Sequence, residues 1–276
     1  MKALRQRRAP KLIPEQVATL ARTTRPTVNR MESGDTLPSV HLLGTILGVY
    51  AATEDEREEA IRLWEYANAD TTVVEHAADL SPKYLAFRWD ESEAVSERTM
   101  EPVAIHGLLQ TAGYASAIAD AAGLFNQNRP ADWEQRAADE RQARQRLLGK
   151  DGPLALHSLI DEGVIRRVVG GADVMAEQLR HLLTVGAQDN VTIQVVPFAA
   201  GAYGTMSGPV SILSFAEDDG PDLAYLEHAA GGESVENRDD VAAFISTFER
   251  ISRNLALPPD QSADLIKGVL DRLEGR

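Results

Sequence analysis

Four residues near the N-terminus have the types and spacing of a base-reading set: Arg25, Thr27, Asn29 and Arg30. An arginine can pair bidentately with guanine and an asparagine with adenine. Arg25 and Asn29 stand four residues apart and so share one face of a helix. Arg30, Lys11 and the cluster Arg5 to Arg8 suit phosphates, which fix position without reading sequence, and Arg22 joins them as a DNA contact. For any single arginine a solvated helix face is as simple a reading; the set as a whole favours nucleic acid. A second set is polar where its surroundings are apolar. His106, Gln110, Arg144 and His157 interrupt stretches that otherwise read as core-facing, which suits polar groups in a ligand pocket.

The first set needs a helix presented by a second helix. Pro14 suits a first helical turn, and Val17, Ala18, Leu20 and Ala21 supply an apolar face behind it. Arg22-Thr23-Thr24 interrupts the pattern. Thr24 can cap a second helix carrying Pro26 in its first turn, with Gly34 as its left-handed end and Pro38 blocking continuation. Val28 and Met31 then face inward. Two helices joined by three residues, the second bearing outward Arg, Thr and Asn, form the geometry that enters a major groove. Ser39–Tyr50 and Glu54–Ala67 add two amphipathic helices to complete an all-α bundle over residues 1–70.

Residues 71–100 read as a connecting segment, and 101–276 as an α+β domain for sensing and dimerisation. Strands are expected at Leu154–Leu159, Val191–Pro197, Val210–Phe215 and Leu223–Glu227. Helices are expected at Ala112–Ala122, Trp133–Leu148, Val174–Thr184 and Asp240–Leu255. Uneven connections suggest a mixed sheet covered by helices on one face. The fold class is therefore α+β, an all-α helix-turn-helix bundle followed by a mixed sheet with helices.

Charge supports the division. The 276-residue chain carries a net charge of -14, yet residues 1–50 hold eight basic side chains against three acidic ones. A basic head on an acidic body is oriented by a polyanion. No apolar run approaches the ~20 residues that span a bilayer, so a cytoplasmic protein without a membrane partner is expected. The absence of cysteine removes disulfides, thiol nucleophiles and thiolate metal sites.

Enzymatic readings are weak. Gly204-Thr205-Met206-Ser207-Gly208 resembles a nucleophile elbow, but its serine is one place late. The glycine pairs at 170–171 and 231–232 lack phosphate-loop spacing and read as turns. The six histidines, His76 among them, never fall at i, i+3 or i, i+4, so no helix offers a paired metal site. Asp161 and Glu162 with Arg166 and Arg167 fit a helix N-cap with acids in its first turn and bases in its last. No catalytic residue, metal site or cofactor is assigned.

Residues 17–39, VATLARTTRPTVNRMESGDTLPS, resemble the Xre-type helix-turn-helix at Val17, Ala18, Thr24, Val28, Arg30, Glu32, Gly34 and Pro38. Arg22 stands where that family usually has Gly, and Pro14 where it usually has Gln. Five later stretches resemble actinobacterial WhiJ-like, or antitoxin-like, regulators: EPVAIHGLLQTAGYA at 101–115, RQARQ at 141–145, LIDEGVIRRVVGG at 159–171, NVTIQVVPF at 190–198 and GAYGTMSGPV at 201–210. His106 takes the place of a commoner Pro. The resemblance implies a transcription regulator, often encoded beside a small partner protein. The reading is then a homodimer on double-stranded DNA whose C-terminal domain binds a small molecule or a small protein. The alternative is a degenerate head on a domain that binds, or acts on, a metabolite.

Overall fold

The computed structural model describes residues 1–8, 10–34, 37–68, 82–122, 132–149, 154–204, 206–216, 221–228 and 231–275. Five helices build the head: α1 Lys2–Arg7, α2 Pro14–Ala21, α3 Arg25–Ser33, α4 Val40–Val49 and α5 Glu54–Asn68. The local signals act as expected. The Thr24 hydroxyl accepts from the Thr27 amide at 3.3 Å, Pro26 lies in the first turn of α3, and Gly34 ends it at φ 83°. Val17, Ala18 and Ala21 of α2, Val28 and Met31 of α3, and Leu42 and Ile46 of α4 form one buried cluster, with Leu4 and Leu12 against it. Arg22 is left-handed at φ 54°, in the turn between α2 and α3.

The body is a six-stranded sheet: β1 Ser96–Glu101, β2 Ala155–Asp161, β3 Val191–Val196, β4 Val210–Ser214, β5 Leu223–His228 and β6 Gly231–Val235. Its order is β3-β2-β1-β4-β5-β6. β1, β2 and β3 run parallel, and β4, β5 and β6 continue antiparallel from the other side of β1. The parallel half requires long crossovers. α7 Ala112–Ala122 and α8 Trp133–Arg144 link β1 to β2; α9 Glu162–Arg166 and α10 Ala172–Val185 link β2 to β3. α11 Arg238–Asn254 and α12 Pro259–Leu273 close the chain. No helix among the described residues is long and apolar enough to cross a membrane.

Several expectations change. The sheet is covered on both faces. The larger core collects Leu156 and Ile160 of β2 with Met175 and Leu179 of α10 and Ile266 of α12. The opposite face packs Met100, Leu159 and Ile212 on Phe248 and Ile251 of α11. The segment read as a connector supplies α6 Pro82–Glu93 and the central strand β1; its residues 71–81, including His76, lie outside the described residues. β1 escapes a hydropathy pattern because its inward face carries Glu97, Thr99 and Glu101. The second glycine pair lies in β6, not a turn. A Cβ on Gly232 would overlap the Tyr225 hydroxyl and ring, so the strand needs glycine for close approach. α12 also went unread.

Candidate functional site

In the head, α3 exposes Arg25, Asn29 and Arg30, and Lys11 and Arg22 are exposed as well. Arg25 Nη1 donates to Glu15 Oε1 at 2.7 Å across two exposed side chains. Lys11, Arg22 and Arg30 make no ion pair among the described residues. Thr27 is only half-exposed, with its hydroxyl 2.9 Å from that of Thr24, so it serves the helix cap. The phosphate assignment for the cluster Arg5 to Arg8 is corrected in part. Arg5 is half-buried and donates through Nε and Nη2 to Glu32, at 2.7 Å each, while Tyr50 donates to the same carboxylate at 2.7 Å. Burial opposes ionisation of Glu32, but Arg5 and Tyr50 outweigh it and hold the carboxyl below its usual range. This pair locks α1 to α3. Arg7 is taken up by Glu56 at 2.6 Å.

In the body, a cavity of about 570 Å3 opens between α6, α7, α8 and strands β1, β4 and β5. Its walls include His106, Gln110 and Arg144, together with Glu101, Arg141 and Tyr225. Three of the four residues expected in a pocket therefore meet. His157 does not. It lies on the other face of the sheet, its Nε2 2.7 Å from Gln194 Oε1 and its ring edge-on to Phe248 at 4.9 Å.

Arg144 organises the cavity floor. Its side chain is 3% exposed, and its Nε donates to both oxygens of Glu91 at 2.9 and 2.7 Å. Arg88 Nε donates to Glu91 Oε2 at 3.0 Å, and Arg88 and Arg141 both pair with Glu140. The Tyr84 hydroxyl accepts from Arg141 at 2.9 Å and Arg144 at 3.2 Å. Gln110 accepts from Arg141 Nε at 3.3 Å and donates to the Ile105 carbonyl at 2.7 Å. Gly107 leaves room for all this, since a Cβ there would overlap the Arg144 guanidinium. A cluster so fully paired is costly to break, by about 3–5 kcal/mol when one partner is removed.

Electrostatics separate the acids. Burial favours neutral Glu91, but Arg144 and Arg88 overcome it and hold the carboxylate charged below its usual range. Burial also works against a charged His106, yet the Glu97 carboxylate, 3.2 Å away, raises its pKa above the ordinary value. For Glu101 burial, reinforced by Glu227 and Glu97 nearby, outweighs the opposing attraction of His106 and pushes the carboxyl up to about 7. Glu101 Oε1, His106 Nδ1 and the Tyr225 hydroxyl accept or donate no hydrogen bond among the described residues, and Glu97 has only its contact with His106. Buried orphans of this kind are unusual in native proteins.

Glu91, Glu97 and His106 bring possible metal ligands within 4.8 Å of one another. However, the Arg144 guanidinium already binds Glu91 and lies 3.2 Å from His106 Nε2, so the positive charge there is supplied by the protein. Ser211, His106 and Glu97 invite comparison with a hydrolytic triad. Ser211 Oγ at 3.4 Å and Glu97 both approach the same ring nitrogen, Nε2, whereas a triad needs the serine and the acid on opposite nitrogens. Ser207 lies in a turn entering β4, not in a strand-turn-helix elbow, and Thr205 of that motif lies outside the described residues. Asp161 does cap α9, accepting from the Gly163 amide at 2.7 Å, and Arg166 Nε donates to Glu162 at 2.7 Å.

Sequence reading missed Tyr84, Glu91, Glu97, Glu101 and Tyr225. The available signals were the i, i+3 pairs Arg88–Glu91 and Arg141–Arg144, and the alternation Glu97, Thr99, Glu101 that puts two acids on one face of a strand.

Residues 84–268 match a family described as a domain of unknown function (DUF5753), and residues 1–60 match a helix-turn-helix domain. No curated protein and no solved structure matches the chain. The first match contains β1 to β6, the cavity and the Arg144 cluster, and covers about two thirds of the sequence. On that extent, the chain belongs to the DUF5753 family, with a helix-turn-helix domain at its N-terminal end.

Proposed function

We propose that the chain is a DNA-binding transcription regulator: α3 enters the major groove of double-stranded DNA, and the cavity beneath α6 and α8 takes a small-molecule effector. One observation carries the reading. A helix-turn-helix head with an exposed Arg25, Asn29 and Arg30 face is joined to a domain holding a partly open cavity of about 570 Å3 with polar groups in its walls. That volume lies within the range of small-molecule sites, and the orphaned Glu101, His106 and Tyr225 atoms on its walls give a ligand polar groups to satisfy. A single short recognition helix covers few base pairs, so the active form in this reading is a homodimer on two half-sites.

The test is fluorescence anisotropy of the full chain on a duplex carrying its own upstream region, against a scrambled duplex, over a salt series. Preference for the upstream duplex with affinity falling steeply in salt is expected, and Arg30→Ala, which removes one phosphate contact from each half of the dimer, should flatten the slope of log affinity against log salt by about 1.8. Equal or absent binding would refute the DNA-binding reading and favour the degenerate head, for which the engagement of Arg25 by Glu15 is the structural motive. Co-purification of a small protein, with an empty cavity by mass spectrometry of the denatured sample, would replace the effector by a protein partner.

A further inference from the structure

Helix α6 belongs to two cores at once. Tyr84, Phe87, Arg88 and Glu91 form its i, i+3, i+4, i+7 stripe and face the cavity and its ion cluster; Phe87 stacks on Tyr225 at 4.3 Å. Leu85 and Trp89, four residues apart on another side, pack into the head with Val40, Leu43 and Leu47 of α4 and with Trp64 of α5. The two indoles lie 5.1 Å apart. Val40, Leu43 and Leu47 are one face of α4; Leu42 and Ile46 of the same helix pack on Val28 and Met31 of α3. A second contact joins the same two parts, where the His41 ring of α4 stacks on Phe215, just beyond β4, at 5.7 Å and 6°. β4 itself reaches the cavity through Ser211.

We infer that α6 is the coupling element between the cavity and the recognition helix, so that a molecule displacing Tyr84 or Phe87 alters the seating of α4 and α3. This rests on reading the cavity as an effector site. The physical ground is that a helix moves as a rigid body and interiors are close-packed, so a shift that relieves one face must be met by repacking on the other. Occupancy of the cavity and DNA affinity are then linked, and the linkage is reciprocal. Tyr84 ties the relay to the cavity, because its hydroxyl accepts from both Arg141 and Arg144 and its ring packs against Phe87.

The experiment is amide hydrogen exchange on the full chain and on three variants: Tyr84→Phe on the cavity side, Leu85→Ala on the head side, and Leu265→Ala in α12 as a destabilising control away from α6. Tyr84→Phe should raise exchange in α4, residues 40–49, by about threefold or more, and in α3 to a smaller extent; Leu265→Ala should not. The Tyr84→Phe/Leu85→Ala pair should depart from additivity. Changes confined to residues 82–148, or additive effects, would overturn the coupling. This readout contains no DNA: propagated exchange with no duplex binding would uphold the relay while removing the regulator reading, and duplex binding without propagation would do the reverse.

Discussion

Glu101 makes stability depend on pH in a calculable way. Its carboxyl titrates near 4.5 when unperturbed and is pushed up to about 7 in the folded chain, mainly by burial. Between these values the folded state holds a proton that the unfolded state has lost, so stability falls as pH rises through the window. Glu101→Gln keeps the shape of the neutral carboxyl and removes the titration. The gain of Glu101→Gln over the parent should be below about 1 kcal/mol at pH 5 and about 3 kcal/mol at pH 8, a rise of about 2.5 kcal/mol at roughly 1.4 kcal/mol per pKa unit. His106, whose pKa is also raised, contributes stability that is present below about 6.5 and lost as pH passes its folded value. It is present in both proteins, but Glu101 helps to raise it, so Glu101→Gln also trims the His106 contribution and the difference reports Glu101 together with that coupling. Urea unfolding followed by tryptophan fluorescence and circular dichroism at pH 5, 6, 7 and 8 measures it. Parallel stability curves for the two proteins would refute the assignment of a buried, neutral Glu101.

The remaining expectations use the same unfolding assay, with duplex binding where stated. Arg22→Gly relieves a left-handed non-glycine residue and Arg22→Ala does not, so the glycine variant should be more stable by about 1 kcal/mol. Both variants lose the same charge and should weaken duplex binding equally; equal stabilities would show that the turn is not strained. Arg144→Met strips Glu91 of its principal cation and should cost about 3–5 kcal/mol, with a substantial part recovered in the Glu91→Gln/Arg144→Met pair. Gly107→Ala forces the same guanidinium aside and should cost about 1–3 kcal/mol, an effect that Arg144→Met should abolish.

The head was legible because its signals are local. A cap at Thr24, a proline in the first turn and a left-handed Gly34 act within a few residues of where they stand, and the structure uses each of them. β2 to β5 were legible because their residues are apolar on both buried faces, and their bounds agree with expectation to within about two residues. β1 was not, because half of it is charged, and the polar cluster beside it is assembled from residues distant in sequence. Glu91 meets Arg144 across 53 positions, and Ser211 meets His106 across 105.

Arg5 shows the same limit in the head. Its type suggested a phosphate contact, and burial beside Glu32 and Tyr50 gave it a structural role. His106 and His157 separate the two levels most clearly. Both interrupt apolar stretches, and nothing within a few residues of either distinguishes them. In β2, Leu156 and Ile160 face the larger core while His157 and Leu159 face α11, so strand parity sends His157 away from the cavity. The sequence determined local conformation and which residues are polar. Only the tertiary structure decided which face each strand turns to the core, because that depends on register against β1 and β3 and on helices far along the chain.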